Sequence, residues 1–384
     1  MGDITLSGSI RDNLLSLQRT TDLMNRTQTR LATGKKVNSA LDDPNAFFTA
    51  QGLSNRANDL GNLLNGIGQA VQTIKAANQG VESITTLVQA AKAKANQAAQ
   101  TTDTFTRAKY ATEYNELLSQ IQKLAEDSGY NGKNLLGGAG NELVVYLNED
   151  SSNFLTIQSI GYTDLASGLG LTDLTPAALG TTTVNLTDGT NPLTLNSPVT
   201  ADTTNFTATG NTLSFEDADG NVIGTIDVTD TMTVGQLVTQ INATFDNVRA
   251  SFTNGTLTLE TSEEITINGG AAGGGLDGTT ITATPSDWQT DGGISATLAA
   301  ITDALDQLRA QASTFGTALT IVQDRQNFTQ SFIGMLSQGS DMLTVADTNE
   351  EGANLLALQT RQQLSITALS LATQADQGVL RLFG

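Results

Sequence analysis

From residue 294 to 336 the chain repeats one spacing without a slip. Ile294, Leu298, Ile301, Leu305, Leu308, Ala312, Phe315, Leu319, Val322, Gln326, Thr329, Ile333 and Leu336 alternate steps of four and three. Two such positions per seven draw a single narrow stripe down an α-helix, about 65 Å long at 1.5 Å per residue. A helix with so thin an apolar face is not stable alone in water, so it must lie against other helices. Matching stripes stand at the front of the chain: Ile10, Leu14, Leu17, Thr21, Met24, Gln28 and Leu31, then Leu60, Leu64, Ile67, Val71, Ile74, Asn78, Val81, Thr85 and Val88. Asn78 reads there as a polar interruption that sets register. A third runs through Tyr110, Tyr114, Leu117, Ile121 and Leu124, and a last one through Leu364, Ala368, Leu371, Ala375, Gly378 and Leu382.

The breaks between stripes carry their own signals. Gly34 is a helix stop, and Asp42-Asp43-Pro44 is a restart with Asp43 as N-cap and Pro44 at the first helical position. Gly339 is expected to interrupt the long helix, and Thr348 with Glu351 to form a capping box for the last one. Between the helical ends, Leu213 and Phe215 alternate up to the turn DADGN, and Val222, Ile226 and Val228 alternate after it, which predicts a hairpin. Val234, Leu237, Val238, Ile241 and Phe245 share a helical face, and a second hairpin turns at Asn254-Gly255. Residues 141–205 read as loop and short strand. The expected fold class is mainly α with an α+β insert. N- and C-terminal helices pack together as a coiled-coil core and helical rod, with an outer β-rich domain between them. The expected division is 1–40 with 341–384 as inner terminal helices, 41–140 with 290–340 as rod, and 141–289 as outer domain.

Composition removes most chemistry. The 384 residues include no cysteine and no histidine. Zinc sites of the usual kinds, thiol nucleophiles and triads with an imidazole base are thereby excluded. Asp217 and Asp219 in the DADG turn lack the remaining ligands of a calcium loop. Gly273, Gly275 and Gly278 match a dinucleotide pattern, but no helix is predicted after them to meet a phosphate. The expectation is no enzyme, no metal and no cofactor. Net charge is −20, and residues 134–308 account for all of it, with Arg249 against 21 acidic side chains. An acidic middle suits a solvated face, while neutral ends suit close packing against copies. No basic patch is offered to nucleic acid. No run of 18 apolar residues suggests membrane insertion. The N-terminus shows no cleaved signal, which leaves a cytoplasmic protein or one exported by another route.

Three stretches, in order, carry a resemblance. LATGKKVNSALDDPNAF at 31–47, DSGYNGKNLL at 127–136 and EEGANLLALQTRQQLSITALSLATQADQGVLRLFG at 350–384 resemble those of the bacterial flagellins. The resemblance implies a subunit of an extracellular flagellar filament, exported without a cleaved signal peptide and assembled as an open helical homopolymer for swimming. It implies an inter-subunit core at Leu14, Leu17, Met24, Leu31, Leu364, Leu371 and Leu382, and a spoke at Gly34, Asn38, Asp42, Asp43 and Pro44. An export chaperone, a filament cap and hook-associated proteins would be partners, and O-linked glycans could decorate the middle. The proline at 44 is reminiscent of hook-filament junction proteins, the alternative within the same superfamily. A stalked, glycan-binding adhesin is the competing class. Where enterobacterial flagellins carry the receptor-recognised QRVRELAV, this chain reads QAAKAKAN. Gln89 and Lys92 keep type there while Ala90, Ala93 and Lys94 do not, which implies weak recognition by the innate flagellin receptor.

Overall fold

The computed structural model describes residues 8–206, 211–269, 271 and 274–383, with the side chains of 9, 376 and 379–383 outside that description. Its elements, in order, begin with helices α1 (Gly8–Thr33), α2 (Pro44–Ala99) and α3 (Thr104–Asp127). Strands β1 (Leu143–Tyr146) and β2 (Phe154–Ile157), the one-turn helix α4 (Leu165–Gly168) and β3 (Gly180–Asn185) follow. Then come β4 (Asn211–Asp217), β5 (Val222–Val228), α5 (Val234–Thr244), β6 (Val248–Thr253), β7 (Thr256–Thr261), β8 (Ile265–Asn268) and β9 (Thr279–Ile281). Helices α6 (Asp291–Thr344) and α7 (Thr348–Phe383) close the chain. Two compact units result. One takes the chain up to Gln69, Val145–Leu155 and the chain from Val322 onward; the other takes Ala70–Val144 and Thr156–Ile321.

In the first unit, α1 packs along α7, and the start of α2 meets the end of α6 through Ala57, Leu60 and Leu336. Gly339 does not interrupt α6. Its missing Cβ would stand 3.4 Å from Leu53, and the next residue, Ser340, donates its hydroxyl to the Ala50 carbonyl at 3.1 Å, so packing outweighs the modest cost of an interior glycine. The capping box at Thr348 is also corrected. Asp347 caps α7 by accepting from the Asn349 and Glu350 amides, which frees Glu351 for a 2.9 Å ion pair with Arg30.

The second unit contains a helical part and a β-containing part. On α2, beyond Ile67 of the first unit, the buried apolar series is Ala70, Val71, Ile74, Ala77, Val81, Ile84, Val88, Ala91, Ala95 and Ala98. The expected stripe therefore keeps 67, 71, 74, 81 and 88 but lies one residue off at 78 and 85. Asn78 is only half-buried and donates to Glu82 at 3.0 Å, while Ala77 fills the seam. On α3, Tyr114 and Ile121 hold as core, with Leu118 and Ala125 in place of Leu117 and Leu124. The α6 stripe stands as read: none of its expected members in this unit is exposed.

The β-containing part forms two antiparallel sheets, β3-β7-β6 and β5-β4-β8-β9. The hairpin-helix-hairpin reading is correct locally, but the two hairpins sit in different sheets. Each is extended by a strand from afar in sequence: β3 joins β7 with Val184 opposite Leu257, and β8 joins β4 with Ile267 opposite Phe215. Leu213, Phe215, Ile226, Leu237, Ile241 and Leu259 share one core under α5. Thr233 and Gln236 form a capping box that starts α5. At the second hairpin Asn254 and Gly255 take φ of +53° and +84°, the pair of left-handed residues such a two-residue turn demands. Asp217 serves the first turn, accepting from the amides of Asp219 and Asn221, which is the work of a turn residue.

Several side chains tie this part to the helices, Thr104 among them, which donates its hydroxyl to the Asp246 carbonyl at 2.9 Å. Trp288 is fully buried, donates its indole N–H to Thr297 at 2.9 Å, and lies 5.2 Å from the Tyr114 ring. Arg107, also buried, donates to the carbonyls of Thr101 and Gln289 and to the Asp291 carboxylate. No helix among the described residues is long and apolar enough to cross a membrane.

Candidate assembly surface

The helix pair α1–α7 distributes its side chains in an unusual way. On α1 the series Ile10, Asn13, Leu17, Thr20, Met24 and Thr27 is buried or half-buried, while Leu14, Leu15, Leu23 and Leu31 are exposed. On α7 the covered series is Glu351, Leu355, Leu358, Gln362, Ser365, Leu369 and Ala372. Leu356, Leu364 and Leu371 are 66%, 66% and 62% exposed. Leucines thus stand in solvent while threonines and a glutamate are buried. Thr20 is satisfied by its own helix, donating to the Ser16 carbonyl at 2.8 Å, and Glu351 by Arg30.

Among the residues expected to join subunits, Leu14, Leu31, Leu364 and Leu371 are on exposed faces. Leu17 and Met24 are half-buried on the covered face of α1, and the Leu382 side chain lies outside the described residues. The covered α7 series went unread because it follows a second heptad phase, beginning at Leu355, beside the more apolar one through Leu364.

The five spoke residues come together between α1 and α2. Gly34, with φ of +67°, ends α1, and the chain then pairs with the α6–α7 junction. Lys36 and Val37 amides donate to the Thr344 carbonyl, and the Ala346 amide to that of Gly34. Asn38 donates its side-chain amide to the Lys35 carbonyl at 3.1 Å. Asp42 accepts from the Asn38 and Ser39 amides, both at 3.0 Å, and these bonds hold its carboxyl below the usual carboxylate range. Asp43 caps α2 by accepting from the Ala46 amide at 3.0 Å, with Pro44 first in the helix. This built loop presents Leu41 to solvent at 96% exposure.

The stretch at 89–96 lies on α2. Gln89 and Ala93 are exposed, and Ala90, Lys92 and Lys94 half-buried. Both lysines are engaged within the chain. Lys92 donates to Thr302 at 3.2 Å, and Lys94 pairs with Glu113 at 2.6 Å with its ammonium 5.6 Å from the Tyr110 ring centre.

Comparison with known proteins adds the family. The bacterial flagellin N-terminal helical region matches residues 9–141 and the bacterial flagellin C-terminal helical region matches 298–383, together more than half of the chain. Flagellin A of Rhizobium meliloti (strain 1021) is 27% identical over 415 residues, covering all of both chains. Flagellin D of the same strain is 23% identical over 94% of each. Among solved structures, the flagellar junction protein FlgL of Legionella pneumophila overlaps with 77% of this chain and all of its own, at 12% identity and a TM-score of 0.36. With helical regions of one family matched at both ends and relatives of that family aligned over the full length, the chain belongs to the bacterial flagellins.

Proposed function

We propose that this flagellin polymerises into the extracellular filament that drives swimming, with its α1–α7 pair turned toward other copies in the filament core. One observation carries the reading: the exposed leucines of the pair, Leu14, Leu31, Leu364 and Leu371 among them, have no cover within their own chain. Covering them by another copy removes apolar area from water, and a contact between two different patches repeats into an open helix instead of a closed ring. Residues 1–40 with 341–384 then form the inner layer, 41–140 with 290–340 the rod, and 141–289 the outer domain.

Gly34, Asn38, Asp42, Asp43 and Pro44 act as the spoke that holds inner layer to rod. The acidic outer domain faces solvent and carries any O-glycans. A structural role without catalysis fits the family. Export chaperone, filament cap and hook-associated proteins are the other contacts of such a subunit. Lys92 and Lys94, held by Thr302 and Glu113, leave little for an innate receptor to grip, and a receptor reporter should respond weakly to the purified subunit.

The test is negative-stain electron microscopy of subunits added to filament fragments. Long filaments from the intact chain, and none from a chain lacking 1–40 and 341–384, are expected. An intact chain that never elongates would instead favour a junction role.

A further inference from the structure

Outside the α1–α7 pair, the C-terminal stretch of α6 carries apolar side chains that its own chain leaves in solvent. Phe328, Met335 and Met342 follow one another at seven-residue steps and are 57%, 58% and 69% exposed. Seven residues bring a helix back to nearly the same face, so the three form one row, about 21 Å long. It is distinct from the buried row of the same helix, through Val322, Thr329 and Leu336. Single exposed apolar residues are ordinary; a row in register with the helix is the pattern of a face meant for a partner.

Gly334 adjoins Met335 in the row. An interior helical glycine costs about 1 kcal/mol relative to alanine, and a Cβ at Gly334 would meet nothing within 4 Å. It shares this openness with Gly316 of the same helix and differs from Gly339, which sits against Leu53, so the backbone beside the row is free for close approach of a second molecule. The row carries little charge to select an unlike partner: between residues 310 and 342 only Asp324, Arg325 and Asp341 are charged, a net of −1. The exposed series continues along the sequence through Val345 to Leu356 and Leu364, the surface proposed above to meet other copies.

We infer that the Phe328–Met335–Met342 row is covered by a second copy of this chain in the polymer, and that its two methionines make this contact sensitive to oxidants. The inference rests on the filament reading. A peroxide transfers one oxygen atom to the methionine sulfur, giving the sulfoxide, and is itself reduced to water; no carbon–sulfur bond breaks. The product is polar, and burying it without a partner opposes association. The reaction reaches the free subunit and is blocked once the row is covered.

The experiment is limited oxidation with hydrogen peroxide, read methionine by methionine by mass spectrometry, on free subunits and on filaments. Met335 and Met342 should oxidise readily in the subunit and roughly tenfold or more slowly in filaments, since susceptibility follows exposure. Met232, half-buried in the other unit, should change little. Filaments in which both remain as reactive as in the subunit would assign the row to another partner or to none, and overturn the inference while leaving the filament reading intact. An intact chain that forms no filaments overturns both.

Pre-oxidised subunits should fail to extend seeds, whereas the M335L/M342L double variant, treated identically, should extend them. Equal growth of oxidised and untreated wild type would remove the oxidant sensitivity. Gly334→Ala should raise the melting temperature of the subunit yet slow filament growth; unimpaired growth would mean that no second chain approaches there.

Discussion

The helices of the two units use the same heptad spacing to opposite ends. In the second unit, the large and branched side chains of α2 and α3 point inward: Ile74, Ile84, Val88 and Ile121 are fully buried, and alanines fill the seam between them. In the α1–α7 pair the covered face is mixed, with Thr20, Thr27 and Glu351 beside Ile10, Leu17 and Leu369, while Leu14, Leu23, Leu364 and Leu371 stand in water. Spacing alone does not distinguish these cases, because a heptad says only that a helix has a partner. Which residues fill the covered positions decides whether that partner lies in the same chain. The second unit buries its large side chains within one subunit, whereas the pair is the part proposed to be completed by copies.

The sharpest way to break this contrast is to delete equivalent side-chain bulk on each side of it. Ile84→Ala should destabilise the free subunit by about 2–5 kcal/mol in urea unfolding, through lost burial and a cavity. Leu364→Ala should change it by less than about 0.5 kcal/mol, as at an exposed surface. Comparable losses would mean that the pair is as finished as the second unit. Arg107→Ala comes next, at about 1–3 kcal/mol, because the partly buried carbonyls of Thr101 and Gln289 lose their donor. The Trp288 emission should redden at the same time if the contacts below α3 loosen together.

Leu17→Asp, on the covered side of α1, should lower the helicity of the pair and stop polymerisation, at a cost to the subunit of about 1–3 kcal/mol for a partly buried polar group. A variant that still forms normal filaments would remove Leu17 from both contacts. The smallest effect concerns the loop at 34–44. The Asp42 carboxyl is held below its ordinary 3.8 by the Asn38 amide and then the Ser39 amide. Its contribution is therefore complete above that value and fades as pH falls through the depressed one. Amide-exchange protection at Asn38 and Ser39 should drop under those acidic conditions, and Asp42→Asn should show no such step.

Much of this fold is legible from residue spacing because helices and hairpins announce themselves locally. The α6 stripe, the Asp43-Pro44 start of α2 and both hairpins follow from neighbours within a few residues. The errors also have physical causes. On α2, Ala70, Ala77, Ala91, Ala95 and Ala98 all belong to the seam, yet alanine carries too little apolar signal to announce itself beside branched neighbours. On α3, Leu117 and Leu118 are both apolar, and only packing selects between them. The pairing of β3 with β7 joins Gly180–Asn185 to Thr256–Thr261, far apart in sequence, and leaves no local trace. Thr348 with Glu351 matched a capping pattern, but Asp347 stands one residue earlier and Arg30, far away in sequence, claims the glutamate. For the surface of the pair, the stripe through Leu364 and Leu371 was visible, whereas its exposure required the structure.

The most direct test of the contrast is the L364D/L371D double variant of the full chain. Circular dichroism of the free subunit and seeded filament growth would be measured on the same preparation. Unchanged helicity with no growth, at concentrations where the wild type elongates freely, is the expected result. Normal filaments from that variant would contradict the central claim that the exposed leucines of the pair are covered by other copies.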